Sequence, residues 1–111
     1  MAKLNGKQLE LFPMSLEEYQ KVIKSTAIFP KDMGLTYCTL GLCGEAGEVA
    51  EKVKKLYRDR GGIKTPDFRK DIKKELGDVL WYITATANEL GITLQEIMDS
   101  NYEKLIKRRK T

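Results

Sequence analysis

The sequence predicts an all-α fold, an antiparallel four-helix bundle-like domain. Three observations carry this. Apolar residues recur at helical spacing in four stretches of the 111-residue chain. Short segments holding glycine, proline or a capping hydroxyl separate those stretches. Nowhere do apolar and polar residues alternate over the length of a strand. Short connections between long helices make chain neighbours antiparallel.

The elements follow in order. Residues 1–14, MAKLNGKQLELFPM, read as an irregular arm, and residues 15–111 as one domain. Ser15 followed by Glu18 is a capping box and opens a helix from Leu16 to about Ala27. Leu16, Tyr19 and Ile23 share one side of it, and Pro30 and Gly34 break it. A second helix runs from about Thr36 to Arg58, with Leu42, Val49, Val53 and Leu56 as its apolar stripe. In the loop DRGGIKTP, Gly61 and Gly62 end that helix, Thr65 caps the next and Pro66 starts it. The third helix reaches about Leu90, with Ile72, Leu76, Val79, Leu80 and Ile83 as a broad apolar face. Gly91 stops it, and Thr93 with Glu96 caps a fourth helix from Leu94 to about Arg109, with Leu94, Ile97, Met98 and Leu105 turned inward.

Composition narrows the chemistry. A domain of this size buries only about two thirds of its unfolded surface, so a partner subunit is expected. There is no histidine, which excludes His-containing zinc sites, Ser-His-Asp triads and Cys-His nucleophile pairs. A metal here must be held by oxygen. Cys38 and Cys43, five apart, form no zinc pattern and read as buried free thiols in a reducing cytosol. No secretory leader and no membrane span of about 20 apolar residues is evident, so a cytoplasmic protein without a membrane partner is expected. The net charge of +4 is mild. Its excess lies in residues 52–60, 64–74 and 104–110. The last of these suits either a solubilising helix end or contact with phosphates.

The stretch CGEAGE, Cys43 to Glu48, is odd for a helix: with Gly41 it brings three glycines at three-residue steps, each costing about 1 kcal/mol relative to alanine. Missing side chains allow a ligand or another helix to approach. Glu45 and Glu48 are three apart on the second helix, and Glu75 and Asp78 three apart on the third. Residues at i and i+3 share a helix face. In an antiparallel hairpin the two pairs can converge, and four carboxylates together repel unless a cation sits among them. All-oxygen ligation selects Mg²⁺ or Mn²⁺. The competing reading is a solvated face, with Glu48 paired to Lys52 and Lys74 to Asp78. On the fourth helix Asn101, Lys104 and Arg108 share a face and offer donors to phosphate oxygens. Lys55 is a further phosphate candidate. Tyr82, one turn after Asp78, and Phe29, before the second helix, are candidates for stacking on a base, whereas Trp81 reads as core or interface.

The segments GLCGEAGEVAEKVKKLYRD, KKELGDVLWYITATANELGITLQEI and NYEKLIKRR together resemble the MazG-like nucleotide pyrophosphohydrolases, of the all-α NTP pyrophosphatase superfamily. The shared pattern is ExxE, a spacer of variable length, then ExxD, and here 26 residues separate Glu48 from Glu75. The likeness spans about Leu16 to Arg109. It implies cleavage of a nucleoside triphosphate to monophosphate and pyrophosphate, with Mg²⁺ held by Glu45, Glu48, Glu75 and Asp78. Glu48 is the candidate base. It further implies a homodimer or a tetramer of two dimers, and a role in clearing unwanted nucleotides. The alternative is a non-catalytic helical oligomer that binds nucleotide or nucleic acid through its basic face.

Overall fold

The structure, a computed structural model, describes residues 12–110. Most of the expected arm, residues 1–11, lies outside the described residues. Four α-helices follow: α1 Leu16–Thr26, α2 Gly34–Arg60, α3 Pro66–Glu89 and α4 Leu94–Lys110. The described residues contain no strand.

Each start has a local cause. The Ser15 hydroxyl accepts the Glu18 amide at 3.1 Å and opens α1. Thr65 accepts the Phe68 amide at 3.2 Å, and Pro66 in the first turn of α3 has no amide to satisfy. Thr93 accepts the Glu96 amide at 3.0 Å, while Glu96 reaches back to the Thr93 amide at 3.5 Å. Gly61 and Gly62 adopt φ of 61° and 79° and turn the chain between α2 and α3.

One start differs from expectation. Gly34 does not break the chain; it is the first residue of α2, with φ −55°. Pro30 instead seeds a 3₁₀ turn, Lys31–Met33, and the Met33 amide donates to its carbonyl at 3.0 Å. Gly34 is buried beneath the Glu89 side chain and the Phe29 ring, and a Cβ there would overlap Glu89. Glycine is needed for closeness, not for a turn.

The α2–α3 hairpin is the spine of the molecule. Next, α1 lies on α3, and α4 on α1. The core gathers where α1, the start of α2 and the end of α3 meet: Ile23, Cys38 and Ala85, ringed by Tyr19, Phe29, Trp81 and Tyr82. Thr84 is fully buried and donates to the Leu80 carbonyl at 2.7 Å, so its hydroxyl is satisfied. Both cysteines are free thiols; Cys38 is buried as expected, whereas Cys43 is exposed, on a part of α2 outside the core.

Gln20 ties α1 to the last turn. Its side chain donates to Asn88 Oδ1 at 2.9 Å and to the Ile92 carbonyl at 2.7 Å, and accepts the Leu94 amide at 2.9 Å. Leu94 is buried there, but the inward face expected for the rest of α4 is not covered within the chain: Ile97, Met98 and Leu105 are exposed. The broad stripe on α3 is likewise divided. Ile72, Val79 and Ile83 are half-buried, whereas Leu76 is 52 % exposed and Leu80 41 %. Four helices arranged as a hairpin with two outliers have too few neighbours to cover every apolar stripe. Leu56 and the C-terminal part of α3, with Ala85 and Ala87, are sealed instead.

Candidate functional site

Three of the four acids converge: Glu45 of α2 meets Glu75 and Asp78 of α3, and one oxygen of each lies within 4.8 Å of the other two. Partial burial, then the charges of Asp78, Glu75 and Glu48, hold the Glu45 carboxyl above the usual carboxylate value. Burial and the neighbouring carboxylates both disfavour the charged form of Glu45. The donor set is all oxygen, comes from two rigid helices and is half-buried at Glu45 and Glu75. It fits a hard divalent cation.

Glu48 stands apart from this trio. It is exposed and faces a neighbouring cleft of about 480 Å³. Lys52, Lys55, Asp71 and Thr65 line the same cleft, between the lower halves of α2 and α3. The alternative pairings of the acids are not those expected. Among the described residues, Lys52 does not pair with Glu48 on its own helix. It crosses to α3 and meets Asp71 at 2.8 Å and Glu75 at 3.5 Å. Lys55 pairs with Glu51 at 3.7 Å while still lining the cleft.

On the other flank, Glu45 and Asp78 share a hollow of about 290 Å³ with Trp81 and Tyr82. Tyr82 thus lies where a stacking ring was expected. Burial, then a hydrogen bond with Tyr37 and the charge of Glu45, push its phenol above the ordinary tyrosine value. Trp81 packs against the core, and it also meets Tyr82 edge-on, centroids 4.9 Å apart, and forms a wall of the hollow. Its position three residues after Asp78 was the available signal. Phe29 sits one ring further back. It stacks on Tyr37 at 5.4 Å, packs against the core and does not line the hollow.

The glycines separate into two kinds. Gly41 lies against the Tyr82 ring, which a Cβ would overlap. Gly44, Gly47 and Gly77 face open space, with nothing within 4 Å of where a Cβ would be. Close approach within the chain therefore accounts for Gly34 and Gly41 but not for Gly44 or Gly47.

Asn101, Lys104 and Arg108 are not brought to the acids within the chain. They line two surface depressions on α4, with Ser100, Glu103 and Lys107 in one and Ile92, Glu96 and Ile97 in the other. None of the four acids lines either depression. The reason is the docking of α4 on α1 rather than on the hairpin. Asp71 escaped the sequence reading altogether, although it lies one turn before Glu75 on the same face.

Comparison with known proteins agrees with the geometry. Residues 35–111 match the family of the MazG nucleotide pyrophosphohydrolase domain. The chain is 43% identical over 102 residues to the Gene 37 protein of Mycobacterium phage L5, covering 86% of this chain and 90% of that one. It is 35% identical over 72 residues to the Bacillus subtilis protein YvdC, covering 60% and 68% respectively. No solved structure matches significantly. The match takes in α2 from its second residue, all of α3 and α4 and both acid pairs, and on that footing the chain belongs to the MazG nucleotide pyrophosphohydrolase domain family.

Proposed function

We propose that this protein is a Mg²⁺-dependent nucleoside triphosphate pyrophosphohydrolase, converting (d)NTP to (d)NMP and pyrophosphate. The observation that carries the reading is the meeting of Glu45, Glu75 and Asp78 within 4.8 Å from two antiparallel helices. Glu45, Glu75 and Asp78 would hold the ion, with Glu48 joining from the cleft side. Mg²⁺, or Mn²⁺ in its place, would supply charge to offset the phosphate oxygens and make water a better nucleophile at neutral pH.

The chain's own groups take the remaining roles. Water attacks the α-phosphorus, the bond to the bridging oxygen breaks, and pyrophosphate leaves with that electron pair. Glu48, exposed at the edge of the trio, accepts the water's proton. Tyr82 and Trp81 flank the base in the hollow beside Glu45 and Asp78. Lys55, on the cleft wall, meets a phosphate oxygen. Asn101, Lys104 and Arg108 serve a phosphate supplied by a second copy of the chain, since their own protomer does not bring them to the acids. The exposed apolar residues Leu76, Leu80, Met98 and Leu105 support assembly as a homodimer or a dimer of dimers. Among the described residues no helix is long and apolar enough to cross a membrane. The biological role in this reading is removal of unwanted nucleotides in the cytoplasm.

The basic depression of Lys104, Lys107 and Arg108 favours a second reading, a non-catalytic helical oligomer that binds nucleotide or nucleic acid. One experiment separates them. Incubation with a panel of NTPs and dNTPs, with and without Mg²⁺, should release pyrophosphate only with metal. Glu48→Gln should lower turnover by at least about 100-fold and leave the metal-free fold as stable or more so. A protein that binds nucleotide in a salt-dependent way and releases no pyrophosphate is the second kind.

A further inference from the structure

One pair of charges beside the acid trio has no part in the reaction as described. Lys52 lies one turn beyond Glu48 on α2 and sends its ammonium across to α3. There it donates to Asp71 Oδ2 at 2.8 Å and stands 3.5 Å from Glu75 Oε1. Asp71 and Glu75 are four residues apart, one helical turn. Glu75 belongs to the trio, and Asp71 does not. The lysine thus touches the trio at its edge and is held more tightly from one turn outside.

We propose that Asp71 and Lys52 form a charge clamp that sets how tightly the trio binds a divalent cation. The inference rests on reading the trio as a cation site. An ammonium beside Glu75 opposes a dication that shares that carboxylate, because like charges a few ångströms apart repel. Asp71 offers the same ammonium a shorter contact and draws it outward. Lys52 is therefore the competitor of the metal, and Asp71 is what restrains the competitor. Both are positioning residues: neither needs to touch substrate.

The two partners then have opposite effects, which an ordinary surface ion pair would not produce. With Asp71 neutral, Glu75 becomes the ammonium's remaining carboxylate partner across the hairpin, and the ion is opposed more strongly. With Lys52 neutral, the trio has no competitor, and the charge of Asp71 no longer acts through it. The stem of Lys52 is best kept, so methionine is the substitution that removes charge with least loss of packing.

The test is Mg²⁺ binding to the full metal-free chain by calorimetry, without nucleotide, and Mn²⁺ binding by electron paramagnetic resonance. Lys52→Met should tighten binding roughly two- to fivefold, and Asp71→Asn should weaken it by a similar factor, the scale of a partly exposed charge pair. In the Lys52→Met background, Asp71→Asn should change affinity by less than about twofold, because its effect runs through the lysine. Lys52→Arg, which keeps the charge, should bind as the parent does. Circular dichroism checks that each variant retains its helices. If Lys52→Met binds as the parent or more weakly, while Glu75→Gln abolishes binding, the clamp is overturned and the cation site stands. If the parent itself binds neither ion, the cation site and the clamp fall together.

Discussion

Alanine at Gly44 and alanine at Gly41 should move stability apart, although both glycines lie in the same helix three residues from each other. In each case the chain regains about 1 kcal/mol of helix propensity. At Gly44 nothing lies within 4 Å of the new methyl, so that gain stands alone. At Gly41 the methyl overlaps the ring of Tyr82, which is hemmed in by Trp81 at 4.9 Å and tilted against Tyr37 at 6.4 Å. The ring is flanked by these two neighbours, so making room for the methyl means moving it from its packed position, and overpacking of this kind costs about 1–3 kcal/mol. The propensity gain cancels in the comparison, so Gly44→Ala should exceed Gly41→Ala in stability by about 1–3 kcal/mol. For a domain of this size each kcal/mol is about 4–8 °C in the melting midpoint. Urea denaturation of the metal-free chain at one fixed protein concentration measures this, with the m-value expected to stay constant. Equal midpoints for the two variants would refute the close contact of Tyr82 with Gly41. A destabilised Gly44→Ala would refute the open space, and would mean that another copy of the chain fills it.

Two further outcomes follow from the geometry. Because the folded state holds the Glu45 proton above its ordinary value of 4.5, the unfolded state binds fewer protons in that window, and the metal-free chain should lose stability as pH rises from about 4.5 through the folded value. Glu45→Gln should flatten that part of the pH profile in thermal melts, and Mg²⁺ should restore stability to the parent alone. Gln20→Ala removes three part-buried hydrogen bonds that join α1 to Asn88, Ile92 and Leu94. It should cost about 2–4 kcal/mol, with hydrogen exchange at the start of α4 rising first.

The convergence of acids has a structural consequence for regulation of the site. Three carboxylates, two of them half-buried, are unfavourable company for one another, and Lys52 relieves only Glu75. In the proposed reading a cation bound among them would add stability, by the linkage of binding to folding. The same hairpin separates two environments on either side of the trio: an aromatic hollow toward the core and a charged cleft toward the α2–α3 turn. A nucleotide carries both kinds of chemistry, an apolar base and a polyphosphate.

Local signals were enough for the elements. Caps at Ser15, Thr65 and Thr93 and the glycines at 61, 62 and 91 act within a few residues, so the helices fall close to where the sequence places them. The i, i+3 spacing likewise puts Glu75 and Asp78 on one face, and the antiparallel hairpin brings Glu45 to them, with Glu48 left at the neighbouring cleft. What the sequence did not reveal depends on neighbours remote in the chain. The partner of Lys52 is Asp71, 19 residues away, because crossing the hairpin is shorter than reaching along the helix. Trp81 lines the hollow with Glu45, whereas Phe29 stacks on Tyr37 and does not reach it. The docking of α4 on α1 was also invisible, since periodicity shows that a helix has an apolar face but not which surface covers it. Caps, breaks and facing acids are set by covalent distance along the chain, whereas partners across helices are set by packing, which only the folded chain decides.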